Sequence, residues 1–139
     1  SGHDLGNHTM THQQMKQISA ARVESEIAGC AKELTALTGS HGKYFRPSGT
    51  QYSTSLIRKV AAKNGYSQCI SYDVDSLDYT DPGVNKIIAN TMKTIKGGSI
   101  VSLHFGHKNT VEALPTLLEK LHGAGFTAVT LTQLIGPQG

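Results

Sequence analysis

Nothing in these 139 residues approaches the ~18 consecutive apolar positions of a membrane-spanning helix, so no membrane span is expected. Basic charge is thin as well. The 13 lysines and arginines leave a formal charge of +3 and never form a block interleaved with aromatics, which removes support for nucleic-acid binding. Cysteine is scarce: Cys30 and Cys69 could pair or be two buried thiols, and they do not decide the redox compartment. There is no internal repeat and no low-complexity segment. No leader pattern is visible either, since Ser1 runs straight into what reads as the end of a strand, and the chain is expected to open inside a domain. A hydrophobic content of 37% against 17% charged residues excludes a disordered tail. The length suits one domain over residues 1–139, able to bury about two thirds of its unfolded surface.

What is present alternates regularly. Ser19 can cap a helix to about Thr38, with Val23, Ile27, Cys30, Leu34 and Leu37 on one face and Gly39 as its stop. Lys43 to Arg46 reads as a strand. Ser53 or Thr54 opens a second helix with Leu56, Ile57, Val60 and Ala61 inward, and Gln68 to Tyr72 reads as the next strand. Asp81-Pro82 is a cap followed by a first-turn proline, predicting a third helix through Ile87, Ile88, Met92 and Ile95. Ser99 to His104 is a further strand, and Thr110 caps a fourth helix with Leu114, Leu117, Leu118 and Leu121 inward. Phe126 to Leu131 is the last strand, with a short helical tail from Thr132. Strand and helix in alternation imply an α/β fold with a parallel sheet or barrel. Chemistry in such folds collects at the carboxyl ends of the strands.

Polar residues stand at those ends. After the first strand, a Gly6-Asn7 turn leads to His8-Thr9-Met10-Thr11-His12, two imidazoles four residues apart. On one helical turn they would share a face and aim at a single point. Neutral imidazole is the commonest protein ligand for zinc. The interior of this motif holds no carboxylate, so a third ligand and a base would have to come from elsewhere. Arg46-Pro47-Ser48-Gly49 follows the second strand, Asp73 to Tyr79 the third, and His104-Phe105-Gly106-His107 the fourth. Asp73 and Asp75 read as turn residues. His3, His41, His107 and His122 read as surface or loop residues, and Tyr44, Tyr52, Tyr66 and Tyr72 as packing.

In this order the motifs resemble those of the polysaccharide deacetylases of the NodB-homology type, carbohydrate esterase family 4. The resemblance runs from Gly2 to about Leu134. His8-Thr9-Met10-Thr11-His12 is similar to the family's H-[ST]-x-x-H metal motif, Arg46-Pro47 to its arginine-proline motif, Asp75-Ser76-Leu77-Asp78-Tyr79 to D-x-x-D-W, and His104 to the histidine of L-x-H. The resemblance implies a distorted β/α barrel and a hydrolase that removes acetyl groups from N-acetylated polysaccharide of the chitin or peptidoglycan type. It also implies a divalent metal, most often Zn2+, on His8 and His12. His104 would be the general acid, oriented by Asp78, and Arg46 would pair with the catalytic base. Tyr79 would wall the acetyl pocket, with Ser48, Gly49 and Ser102 as further substrate contacts. An extracellular or cell-wall location is implied in the same way.

Four departures stand beside these matches. The family's adjacent aspartates, which supply the base and the third metal ligand, have no counterpart here, because the chain contains no Asp-Asp pair. The expectation is therefore a barrel lacking its first strands, impaired in hydrolysis, with the missing segment or a second copy covering the open edge. The motif proline directly follows Arg46, and Ser48-Gly49 replaces an aromatic. Ser102 stands where the family has leucine, and Tyr79 where it has tryptophan. An O-acetyl esterase acting on xylan and a carbohydrate-binding pseudoenzyme are the competing functions.

Overall fold

The structure, a computed structural model, describes residues 2–136. Ser1, and residues 137–139 of the expected 1–139 domain, lie outside the described residues. The described chain forms two compact units that divide between Ser71 and Tyr72.

The first unit runs β1 (Gly6–Asn7), α1 (Ala20–Thr38), β2 (Tyr44–Phe45), α2 (Ser55–Lys63) and β3 (Gln68–Cys69). Its strands form a parallel sheet in the order β1-β2-β3, with Gly6 opposite Tyr44 and Phe45 opposite Cys69. Both helices are punctuated as their sequences predict. The Ser19 hydroxyl accepts from the Arg22 N–H, and Gly39 closes α1 at φ 82° with its N–H on the Thr35 carbonyl. Thr54 caps α2 through the Ile57 N–H. Val23 and Ile27 of α1 and Ile57, Val60 and Ala61 of α2 meet Met15, Phe45 and Tyr66 in one core. Cys30 and Leu34 are only half-buried, and Leu37 and Leu56 point to solvent at the edges of their helices.

The second unit runs β4 (Val74–Asp75), a 3-10 turn (Asp78–Thr80), α3 (Val84–Thr94), β5 (Val101–Ser102), α4 (Lys108–Gly123) and α5 (Leu131–Ile135). β4 and β5 pair in parallel, Val74 opposite Val101 and Asp75 opposite Ser102. Ile87 and Ile88 of α3 pack on Ala113 and Leu117 of α4. Leu114 and Leu118, predicted inward, are partly exposed and line a groove of about 550 Å³ together with Leu103, Leu121 and Phe126.

Four predicted boundaries move, each for a visible reason. α3 starts at Val84 because Asp81 adopts a left-handed φ of 50° and closes the 3-10 turn, its N–H on the Asp78 carbonyl. α4 starts at Lys108 behind His107, so Thr110 lies within its first turn rather than capping it. β5 is shorter than Ser99–His104 because the Asp73 side chain takes the Ile100 N–H at 2.7 Å. The Phe126–Thr130 stretch forms no strand among the described residues and instead borders the groove, leading into α5, which Thr130 and Gln133 open with reciprocal caps.

Candidate functional site

In the first unit the His8–His12 segment is a loop, not a helical turn. Thr9 and His12 sit in the left-handed region, at φ 71° and 54°, which no α-helix accommodates. The two rings nevertheless meet edge to face with centroids 5.0 Å apart. A network beneath them does this. Buried Asn7 donates to the Ile27 carbonyl and to the Tyr66 hydroxyl, and its Oδ1 accepts the Thr9 N–H. Ser48, with no solvent exposure, donates its hydroxyl proton to the Gln13 carbonyl, so the 2.8 Å bond between the two hydroxyls must be donated by Thr9. Glu26, on the inner face of α1 and 2% exposed, accepts the Thr11 N–H and hydroxyl at 2.7 and 2.6 Å and pairs with Arg22 at 2.8 Å. Burial pushes the Glu26 carboxyl up, and these bonds outweigh burial and hold it below the usual carboxylate range.

The tautomer of His8 is fixed. Its Nδ1 lies 2.8 Å from the Arg46 carbonyl, which only accepts, so Nδ1 carries the proton and Nε2 the lone pair. That is the form in which a metal-ligating imidazole presents itself. An Arg46 Nη2 donates to the same Nε2 at 3.2 Å. The two rings thus suit a divalent cation in ligand type, and His8 also in tautomer, its Nε2 here accepting from Arg46, while among the described residues no group of three His, Cys, Asp or Glu is placed to hold one. Both cysteines are free thiols, and burial pushes Cys30 up. Gly49 is exposed at φ 66°, and a Cβ there would collide with the Gln14 amide.

In the second unit the predicted pair is formed. Asp78, with no solvent exposure, accepts the His104 N–H at 2.6 Å, His104 Nδ1 at 2.7 Å and the Thr110 hydroxyl at 2.7 Å. Its carboxyl is pushed up by burial and pulled further down by the bonds from His104 and Thr110, ending below its ordinary range. An ionised carboxylate only accepts, so His104 carries its proton on Nδ1 and leaves Nε2 for chemistry. Tyr79 is half exposed, its ring 5.5 Å from that of His104. Asp75 caps the turn through the Leu77 N–H, Asp73 binds Ser99 and Ile100, and Ser102 is buried in β5 with its carbonyl on the Ser76 hydroxyl.

Five contributors escape the sequence reading. Glu26 stands at an inward position of α1 between Val23 and Ile27, and a carboxylate on an apolar face was the available signal. Thr110 is not a helix cap because its hydroxyl is spent on Asp78. Tyr66 and Asn7 form the polar floor under His8 rather than mere packing, with the Tyr66 hydroxyl donating to the His41 carbonyl at 2.6 Å. His107, read as a surface residue, is bound to Asp81 at 2.9 Å and lies 6.3 Å, centroid to centroid, from His104.

A loop presenting two paired histidines and a buried aspartate steering a third define the class: the chain belongs to the polysaccharide deacetylase family, whose model matches residues 1–69. Among its relatives, a peptidoglycan-N-acetylglucosamine deacetylase of Bacillus cereus is 33% identical over 138 residues, covering 96% of this chain and 64% of that protein. A chitooligosaccharide deacetylase of a Bradyrhizobium species is 30% identical, covering 96% of this chain and 67% of that protein. The solved structure of a CE4 family pseudoenzyme from Bacillus anthracis superposes with a TM-score of 0.86 at 27% identity, over 94% of this chain and 46% of the other. The α/β fold with parallel strands is that of carbohydrate esterase family 4, and this chain spans only part of the length of these relatives.

Proposed function

We propose that this chain carries the acetyl-removing chemistry of its family, directed at N-acetylated polysaccharide outside the cell. The observation that carries the reading is the Asp78–His104 pair. A buried ionised carboxylate fixes the ring through both its backbone N–H and Nδ1, so Nε2 can hold a proton and deliver it to the leaving nitrogen as the carbon–nitrogen bond breaks. Asp78 stabilises the ring while it is charged, and Thr110 holds the second carboxylate oxygen in place. His8 and His12 would hold a divalent metal, Zn2+ by ligand type, which supplies Lewis acidity for the acetyl carbonyl and lowers the pKa of a bound water. Arg46 contributes positive charge beside His8, and Tyr79 an aromatic wall beside His104.

Catalysis by these 139 residues alone should be slow, since they contain no adjacent aspartates to act as base and third ligand. That absence, together with the likeness to a family pseudoenzyme, favours a second reading in which the chain binds acetylated glycan without cleaving it. Acetate release from chitooligosaccharide, peptidoglycan and acetylxylan, measured beside zinc content, separates these readings. His8→Ala and His12→Ala should lose zinc. His104→Ala should keep zinc and release acetate about 100-fold more slowly. Saccharide binding without acetate release would leave the binding reading, and zinc retained by His8→Ala would remove the metal pair.

A further inference from the structure

Apolar side chains that face water stand on both sides of Asp78 and on one side of His104 in the sequence. Leu77 and Tyr79, on either side of Asp78, are 40% and 50% exposed, and Phe105, next to His104, is 103% exposed. An aromatic ring that touches nothing in its own chain gains no burial from folding, and apolar surface concentrated around a polar functional pair marks a binding face. The turn that presents Phe105 is also held at both ends. His104 is tied to Asp78 through two bonds, and His107 is tied to Asp81 at 2.9 Å, with Gly106 between them at φ 84°. A ring on a pinned turn loses little conformational freedom when a ligand stacks on it. The same turn carries a polar couple two residues on, since His107 holds Asp81, which is largely exposed and has carboxylate lone pairs beyond the one His107 uses.

We propose that Phe105, with the His107–Asp81 pair as its polar rim, forms a sugar subsite that stacks the pyranose ring adjoining the acetylated residue. The ligand chemistry follows from the surface. A pyranose with all substituents equatorial has a flat face of C–H bonds suited to an aromatic ring and a girdle of hydroxyls suited to a carboxylate and an imidazole. The class of sugar, a β-linked N-acetylhexosamine chain, rests on the deacetylase reading above; the platform itself rests on Phe105 and its turn.

Calorimetric titration of the 139-residue chain with an N-acetylglucosamine tetramer tests it. Phe105→Ala should weaken binding about tenfold, and Phe105→Tyr, which keeps the ring, should bind within about twofold of the parent. Because Phe105 packs against nothing, the melting temperature of Phe105→Ala should match the parent, which separates a lost contact from a lost fold. Equal affinity in the alanine variant, or no binding of the tetramer by the parent chain, overturns the proposal. Ring-dependent binding without acetate release would uphold the platform while overturning the hydrolase reading.

Discussion

Asp78 shows how a charged side chain survives without solvent. Burial alone would drive its carboxyl toward the neutral form, and three short bonds from His104 and Thr110 reverse that. Replacing it by asparagine keeps the shape and removes the charge that receives those donors. The expected cost is about 2–3 kcal/mol, read as a lower urea midpoint. Because the folded-state value lies below the ordinary one, the stabilisation is complete above about pH 4 and disappears as pH falls through the folded-state value. Glu26 acts with the same sign. Urea midpoints between pH 2 and 7 should therefore drop less steeply at the acid end in Asp78→Asn than in the parent chain. The pairing of Asp78 with His104 was legible only through the resemblance of their motifs to those of the deacetylase family. Thr110 was not, because a threonine ahead of a helical pattern looks the same whether it caps the helix or feeds a carboxylate two segments away.

Among the elements, α1 was the most legible because its signals are local. Serine before it and glycine after it need no tertiary partner to act. Ser19→Ala should cost about 1 kcal/mol, again by urea unfolding. The His8–His12 loop was the least legible. Spacing by four suggests a helical turn, but Asn7, Ser48 and Glu26, the last two distant in sequence, take its backbone and hydroxyl groups and bend it through two left-handed residues. Ring proximity survived the wrong conformation because the network, not helical periodicity, sets it. Phe126 to Leu131 misled in another way: a short run rich in apolar and β-branched residues suits a strand, yet among the described residues Phe126 to Thr130 borders a groove instead.

At the scale of the whole chain, each unit keeps its own core, around Ile27, Phe45 and Ile57 in one and around Ile87, Ala113 and Leu117 in the other. Hydrogen exchange should reveal two protected sets centred on these residues, with amides of residues 127–129 exchanging early because they have no ladder partners there, while the Phe126 N–H is held by the Leu121 carbonyl and the Thr130 N–H by the Gln133 side chain. Uniform protection across that stretch would contradict the arrangement. The parallel layout followed from alternation of element types, whereas strand lengths did not, since they depend on which N–H groups side chains such as Asp73 capture first. A last consequence comes from the two aspartate–histidine pairs, both separated by 26 residues. The two couples share residue types and spacing but not surroundings, for Asp78 is fully buried and Asp81 largely exposed. Thr110, outside either couple, adds to that difference: its hydroxyl donates to Asp78, so the inner couple is a closed three-residue cluster and the outer one an open pair with carboxylate lone pairs to spare.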